Sequence, residues 1–142
     1  MANFKSYNYN EYKIYGGHTS GTFTWTKPSD LDASKPVLVH VWGAGGVGDD
    51  RSSTPATSNG GGGGGLAVKL IDVSQLGATE TITIGAGGAT QLVQGGTSSF
   101  GSHCSATGGN GGACETTNGG SNSGSDGAAN YCLLYTSDAA DE

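Results

Sequence analysis

Positive charge is scarce in this chain of 142 residues, which carries six Lys and Arg against twelve Asp and Glu. The six are scattered singly, so the electrostatic footprint of a nucleic-acid binder is missing and no nucleic-acid partner is expected. Long apolar runs are missing too. Nothing approaches the roughly 18 consecutive apolar residues of a membrane-spanning helix, and no membrane insertion is expected. The opening Met1–Lys5 has no apolar signal core behind it, so synthesis in a cytoplasm without a standard export signal is expected. Cysteine occurs three times. Cys104 and Cys114 are candidates for a disulfide, and Cys132 belongs to the C-terminal tail. A zinc site would need two further soft or nitrogen ligands, and only His103 lies near. No metal or other cofactor is expected.

Catalytic patterns are equally thin. Gly43-Ala44-Gly45-Gly46-Val47-Gly48 follows an apolar run and satisfies G-x-G-x-x-G, but a dinucleotide site needs a helix to begin there. Asp49 through Pro55 and then polyglycine follow instead, and two carboxylates would repel phosphates. No glycine precedes a lysine, so there is no Walker loop. Gly119–Asp126 approximates a calcium-binding GGxGxD repeat, but its spacing is two residues off and the unit occurs once. His18, His40 and His103 have no nucleophile-elbow context around them. His40, between Val39 and Val41, is expected to be a hydrogen-bonded structural residue. The chain is expected not to be an enzyme. Tyr7, Tyr9, Tyr12, Tyr15 and Trp25 are candidates for stacking on sugar rings or packing on a partner.

What the chain has in abundance is glycine, 28 residues. They cluster at Gly43–Gly48, Gly60–Gly65, Gly85–Gly88, Gly95-Gly96, Gly108–Gly112 and Gly119-Gly120, between short apolar runs rich in β-branched residues. Fixing a glycine costs more backbone entropy than fixing any other residue. The tracts are therefore either flexible loops or extended polyglycine helices packed side by side, where only glycine permits close backbone approach. Gly43–Gly46, Gly85–Gly88 and Gly108–Gly112 adjoin strands and are expected to pack. The N-terminal half of Gly60–Gly65 is expected to be mobile. On that reading Gly87→Ala is costly and Gly61→Ala nearly neutral.

The tail, Cys132–Glu142, reads CLLYTSDAADE and matches the read-through translation of a transposon adapter used in shotgun sequencing libraries. It is expected to be non-native and without specific contacts, with the natural protein continuing beyond Tyr131. Removing its acids Asp138, Asp141 and Glu142 takes the formal charge from −6 to −3. The expected organisation is a lead-in over 1–20, a truncated glycine-rich β domain over 21–131, and the tail over 132–142.

Alternating apolar residues mark the strands. They are expected at 22–26, 37–42, 66–73 and 81–84, with a weak one leading from Thr97 through Ser105. Val37–Trp42, apolar on both faces, is expected to be a central strand. The phase change at Ile71 and Val73 suggests a bulge or a strand end. Phe23, Trp25, Val39, Val41, Val68, Leu70, Ile82 and Ile84 are the expected core. No window supports an amphipathic helix of normal length. The fold class is all-β: a small β-sandwich-like domain with glycine-rich loops.

In order, GTFTWTKP, VLVHVWGAGGVG, a polyglycine tract leading into GGGLAVKLIDVSQL, ETITIGAGG and GGTSSFGSHCSATGGNGG resemble the glycine-rich domain of bacteriophage tail-fibre and receptor-binding proteins. The resemblance covers about residues 20–112. It implies a virion protein at or near the tail-fibre tip, non-catalytic, partnered by other tail-fibre subunits and by a host cell-surface glycan or outer-membrane protein. A structural spacer or oligomerisation domain of a fibre or bacterial surface protein is the alternative. Asp49–Asn59 departs from the family pattern as a polar insertion. With the loop Ala89–Gln94 it supplies the receptor-facing positions that the resemblance implies: Asp49, Asp50, Arg51, Asn59, Gln91 and Gln94.

Overall fold

The computed structural model describes residues 20–48, 59–90, 93–114 and 121–122. The tyrosine-rich lead-in, His18 and the adapter-like tail lie outside the described residues. The described residues form eight strands: β1 (Gly21–Thr26), β2 (Val37–Trp42), β3 (Leu66–Ile71), β4 (Thr79–Ile84), β5 (Ser98–Phe100), β6 (Cys104–Ala106), β7 (Ala113–Cys114) and β8 (Ser121–Asn122). The helical content among the described residues is a single 3-10 turn, Val73–Gln75. All pairings are antiparallel, in a four-stranded sheet of order β1-β4-β5-β6, a β2-β3 pair and a small β7-β8 pair. The fold is all-β.

Period-two alternation turns one face of each sheet inward. Trp25, Ile82, Phe100, Cys104 and Ala106 from the larger sheet meet Val41, Ala67 and Ile71 from β2–β3, and Leu76 closes the cluster. Trp25 and Phe100 meet edge to face at a centroid distance of 5.6 Å, the geometry the ring quadrupoles favour. Ala67 and Ala106 are fully buried, and their small side chains let the two sheets approach closely.

Several sequence expectations change here. Trp25, a candidate for surface stacking, is a core residue only 8% exposed. Strand β3 has the opposite phase to that expected: Ala67 and Ile71 are buried, whereas Val68 and Leu70 are half-buried on the other face. Strand β2 is not central, since it pairs with β3 alone and leaves Trp42 exposed. Phe23, Val39 and Ile84 pack against the core from its margin. The phase change at Ile71 is a strand end followed by the 3-10 turn. Cys104 is a free, buried thiol rather than half of a disulfide, and burial pushes its pKa up.

The register sorts the molecule into two ends. Strands β2 and β4 run toward Trp42 and Ile84, β3 and β5 start from Leu66 and Ser98, and β6 ends at Ala106. Each of these strand ends continues as a glycine-rich segment, over 43–48, 60–65, 85–88, 93–96 and 107–112. These segments hydrogen-bond to one another in a pattern no β ladder has. Gly43 and Gly46 donate to Gly65 and Gly62, while Ala44 and Val47 donate to Gly96 and Val93. Successive bonds to one neighbour are therefore three residues apart, the repeat of a polyglycine helix. The 43–48 segment is central. It also accepts from Gly88 on one side and from Gly109 and Gly112 on another, and the surrounding segments bond in turn, as in Gly62 to Asn110, Gly95 to Gly109 and Gly96 to Ala86.

Glycine is used here for its missing side chain rather than for left-handed backbone. Positive φ occurs at Gly21 and Gly101, neither of them in this block. A Cβ at Gly43 would run into the Thr107 carbonyl, at Gly46 into that of Asn110, at Gly64 into that of Gly43, and at Gly108 into that of Gly95. Two expectations reverse. A Cβ at Gly61 would strike the Gly46 carbonyl, so this position is packed, whereas Gly87 faces open space with nothing within 4 Å.

Candidate functional site: the loop end of the glycine lattice

Chain directions within the lattice decide which loops meet. The hydrogen bonds make 60–65 and 93–96 antiparallel to the central segment and 107–112 parallel to it. Residues 48, 60, 88, 93 and 112 therefore gather at the end away from the β core. Val47 ties this end together, donating to the Val93 carbonyl at 3.4 Å and accepting from the Gly112 amide at 2.8 Å. A Cβ at Gly88 would lie 2.5 Å from the Val93 carbonyl and 2.7 Å from the Val47 nitrogen, so the backbones are in direct contact.

Both segments expected to face a receptor leave the lattice from this end. The insertion departs after Gly48 and returns at Asn59; the second loop departs after Gly88 and returns at Val93. Asp49, Asp50, Arg51 and Gln91 lie outside the described residues. Asn59 is only 9% exposed, and its carbonyl stands 2.6 Å from where a Cβ on Gly112 would be. It is an anchor at the base of the insertion rather than a displayed side chain. Gln94 is exposed, yet its side-chain amide donates to the Gly108 carbonyl at 2.9 Å and so clamps two lattice segments. The second loop closes through a Val93 amide bond to the Thr90 carbonyl at 3.1 Å. That turn presents Val93, 42% exposed, which had no periodic pattern to single it out.

The opposite end of the molecule carries the described ionisable cluster. Glu80 lies on the core-facing side of β4, opposite Trp25 in the register. Its carboxylate accepts from the Gly77 amide at 2.8 Å and lies 3.3 Å from His103 Nε2. These contacts, the Gly77 bond first, hold the Glu80 carboxyl below its ordinary range. Lys69 Nζ donates to the His103 carbonyl at 2.8 Å. Cys104, the next residue, begins β6 and packs in the core. The cluster fastens the turn at Gly101, where φ is +52° and a Cβ would press on Glu80 Oε2 at 2.6 Å. His40, expected to be hydrogen-bonded, is exposed, with its ring against Trp42.

Among the described residues no group of three or more His, Cys, Asp or Glu could hold a metal ion. None of their helices is long and apolar enough to cross a membrane. A family model described as a glycine-rich domain matches residues 18–138. No curated protein and no solved structure matches the chain.

Proposed function

We propose that this chain, which belongs to the glycine-rich domain family, is a non-catalytic recognition domain of a phage tail fibre that binds the bacterial host surface. The observation that carries the reading is that residues 48, 59, 88 and 93, which flank the two segments, share one end of a backbone-packed block. Binding residues are disproportionately found on loops held by a rigid scaffold. The lattice suits that purpose because its own cohesion lies in the backbone. Loop residues can then vary in size and charge without disturbing it. The polar, mixed-charge sequence from Asp49 to Ser58 fits a contact with a hydrated glycan or a protein loop.

Cell capture tests this reading. The immobilised chain is expected to retain susceptible bacteria and to compete with phage for adsorption. Replacing residues 50–57 by a short Gly-Ser linker should abolish capture while leaving the melting temperature unchanged. A chain that forms stable trimers and captures no cells would instead be a spacer or oligomerisation element of a fibre.

A further inference from the structure

The β2–β3 pair has a second face. Opposite the core, Leu38 pairs with Leu70, His40 with Val68 and Trp42 with Leu66. Trp42 is 59% exposed and Leu66 47%. The His40 imidazole lies beside the Trp42 indole, with ring centroids 5.7 Å apart and planes 31° from parallel. The result is an indole with an aliphatic neighbour across the strand and an imidazole along it. Among the described residues, neither the Trp42 indole N–H nor the His40 nitrogens have a hydrogen-bond partner, so both can serve a ligand. Among the described residues of β2 and β3, no formally charged side chain shares this face: Lys69, in register with Val39, points the other way to the His103 carbonyl.

Size and charge choose the occupant. The exposed parts of Trp42 and Leu66 amount to roughly 200 Å², far short of the roughly 800 Å² that each partner buries in a stable protein interface. One side of a single sugar ring matches that area. The axial C–H bonds of a pyranose carry partial positive charge and face the electron-rich indole well, while its equatorial hydroxyls reach outward to donors and acceptors at the rim. With no fixed cation among the described residues of this face, an acidic sugar gains nothing from them.

We propose that Trp42, His40 and Leu66 form a binding platform for a neutral pyranose. Trp42 stacks on the ring, Leu66 packs beside it, and the indole N–H and imidazole nitrogens hydrogen-bond its hydroxyls. The platform rests on the β2–β3 face alone, so the loop-end reading can fail in cell capture while sugar binding persists, and the reverse.

The chain has two tryptophans, one buried and one exposed, so their indole N–H signals in a 15N-labelled sample separate the outcomes. Methyl glycosides of glucose, galactose, mannose and N-acetylglucosamine, with glucuronate as the acidic control, are titrated to about 100 mM, beyond a millimolar Kd. At least one neutral glycoside should shift the Trp42 signal saturably while Trp25 stays in place, and glucuronate should bind no tighter than glucose. Trp42→Ala, followed through the Leu66 methyls, should weaken binding at least about tenfold without lowering the melting temperature. The absence of a saturable shift with any neutral sugar would overturn the proposal, as would equal affinity in Trp42→Ala. Self-association that Trp42→Ala abolishes would also overturn it and assign the face to a second copy.

Discussion

Ile71 in the β core and Gly43 in the glycine lattice are both packed against distant parts of the chain, for opposite reasons. Ile71 is fully buried and fills space between two sheets; its contribution is the apolar area it removes from water. Gly43 contributes by occupying no space, because the Thr107 backbone stands where its side chain would be. Its amide donates to Gly65 at 2.9 Å, one of a set of backbone bonds each worth about 0.5–1.5 kcal/mol net. A core tolerates neither loss of volume nor its excess, whereas the lattice is sensitive to excess alone. That asymmetry is what substitutions can probe.

The largest effect is expected from removing volume in the core. Ile71→Ala should cost about 2–5 kcal/mol, the transfer loss plus the residual cavity, read from the midpoint of urea unfolding. A cost under about 1 kcal/mol would mean that β2–β3 packs loosely on the larger sheet. Adding volume to the lattice comes next. Gly43→Ala, Gly46→Ala and Gly61→Ala should each cost about 1–3 kcal/mol as overpacking. Each sends a methyl group into a backbone carbonyl rather than into a side chain that can rotate away. Wild-type stability in all three would show the tracts to be loose and would remove the contrast with the core.

The sequence displays these two regions unequally. Strands β1, β2 and β4 are legible because apolar residues alternate within them. Strand β3 misleads: in LAVKLI the larger residues Leu66, Val68 and Leu70 share one phase, yet Ala67 and Ile71 face inward. Close approach of the sheets selects the small residue at 67, a tertiary demand that periodicity along one strand does not express. Exposed Trp42 follows from the same inversion. In the lattice the tracts are visible as composition, but nothing local tells Gly60, facing open space, from Gly61, one residue on and against the Gly46 carbonyl. The distinction belongs to neighbouring segments far away in sequence. That residues 48, 59, 88 and 93 share one end is likewise set by chain directions in the lattice.

Acid should separate the two regions, because the lattice has no titrating group among its described residues while the far end of the core has Glu80. The Gly77 amide and His103 lower the folded-state pKa of Glu80 from its ordinary value of 4.5. The unfolded chain therefore binds this proton more readily. The stabilisation is present above the unfolded value and is lost as pH falls through the lower, folded one. In Glu80→Gln the drop in unfolding free energy below pH 4.5 should be shallower than in the wild type. Parallel pH profiles in the two proteins would show that Glu80 does not carry the acid response.

The smallest expected effects are the most discriminating, because they occur in residues that composition cannot tell from the sensitive ones. Gly60 and Gly87 have nothing within 4 Å of an added Cβ, and neither has positive φ. An alanine there meets no backbone and adopts no strained conformation. Its remaining influence is on the unfolded chain, whose freedom it reduces, so each substitution should be neutral or stabilising by about 0.4–1 kcal/mol. Gly60→Ala beside Gly61→Ala is the sharpest pair, with one residue of separation and opposite signs of ΔΔG. If both destabilised alike, the cost would reflect backbone conformation common to the tract rather than contact with a neighbour. If both were neutral, Gly61 would have room that a packed lattice does not contain. Opposite signs require a contact that recurs by position rather than by glycine content, as side-by-side polyglycine helices impose.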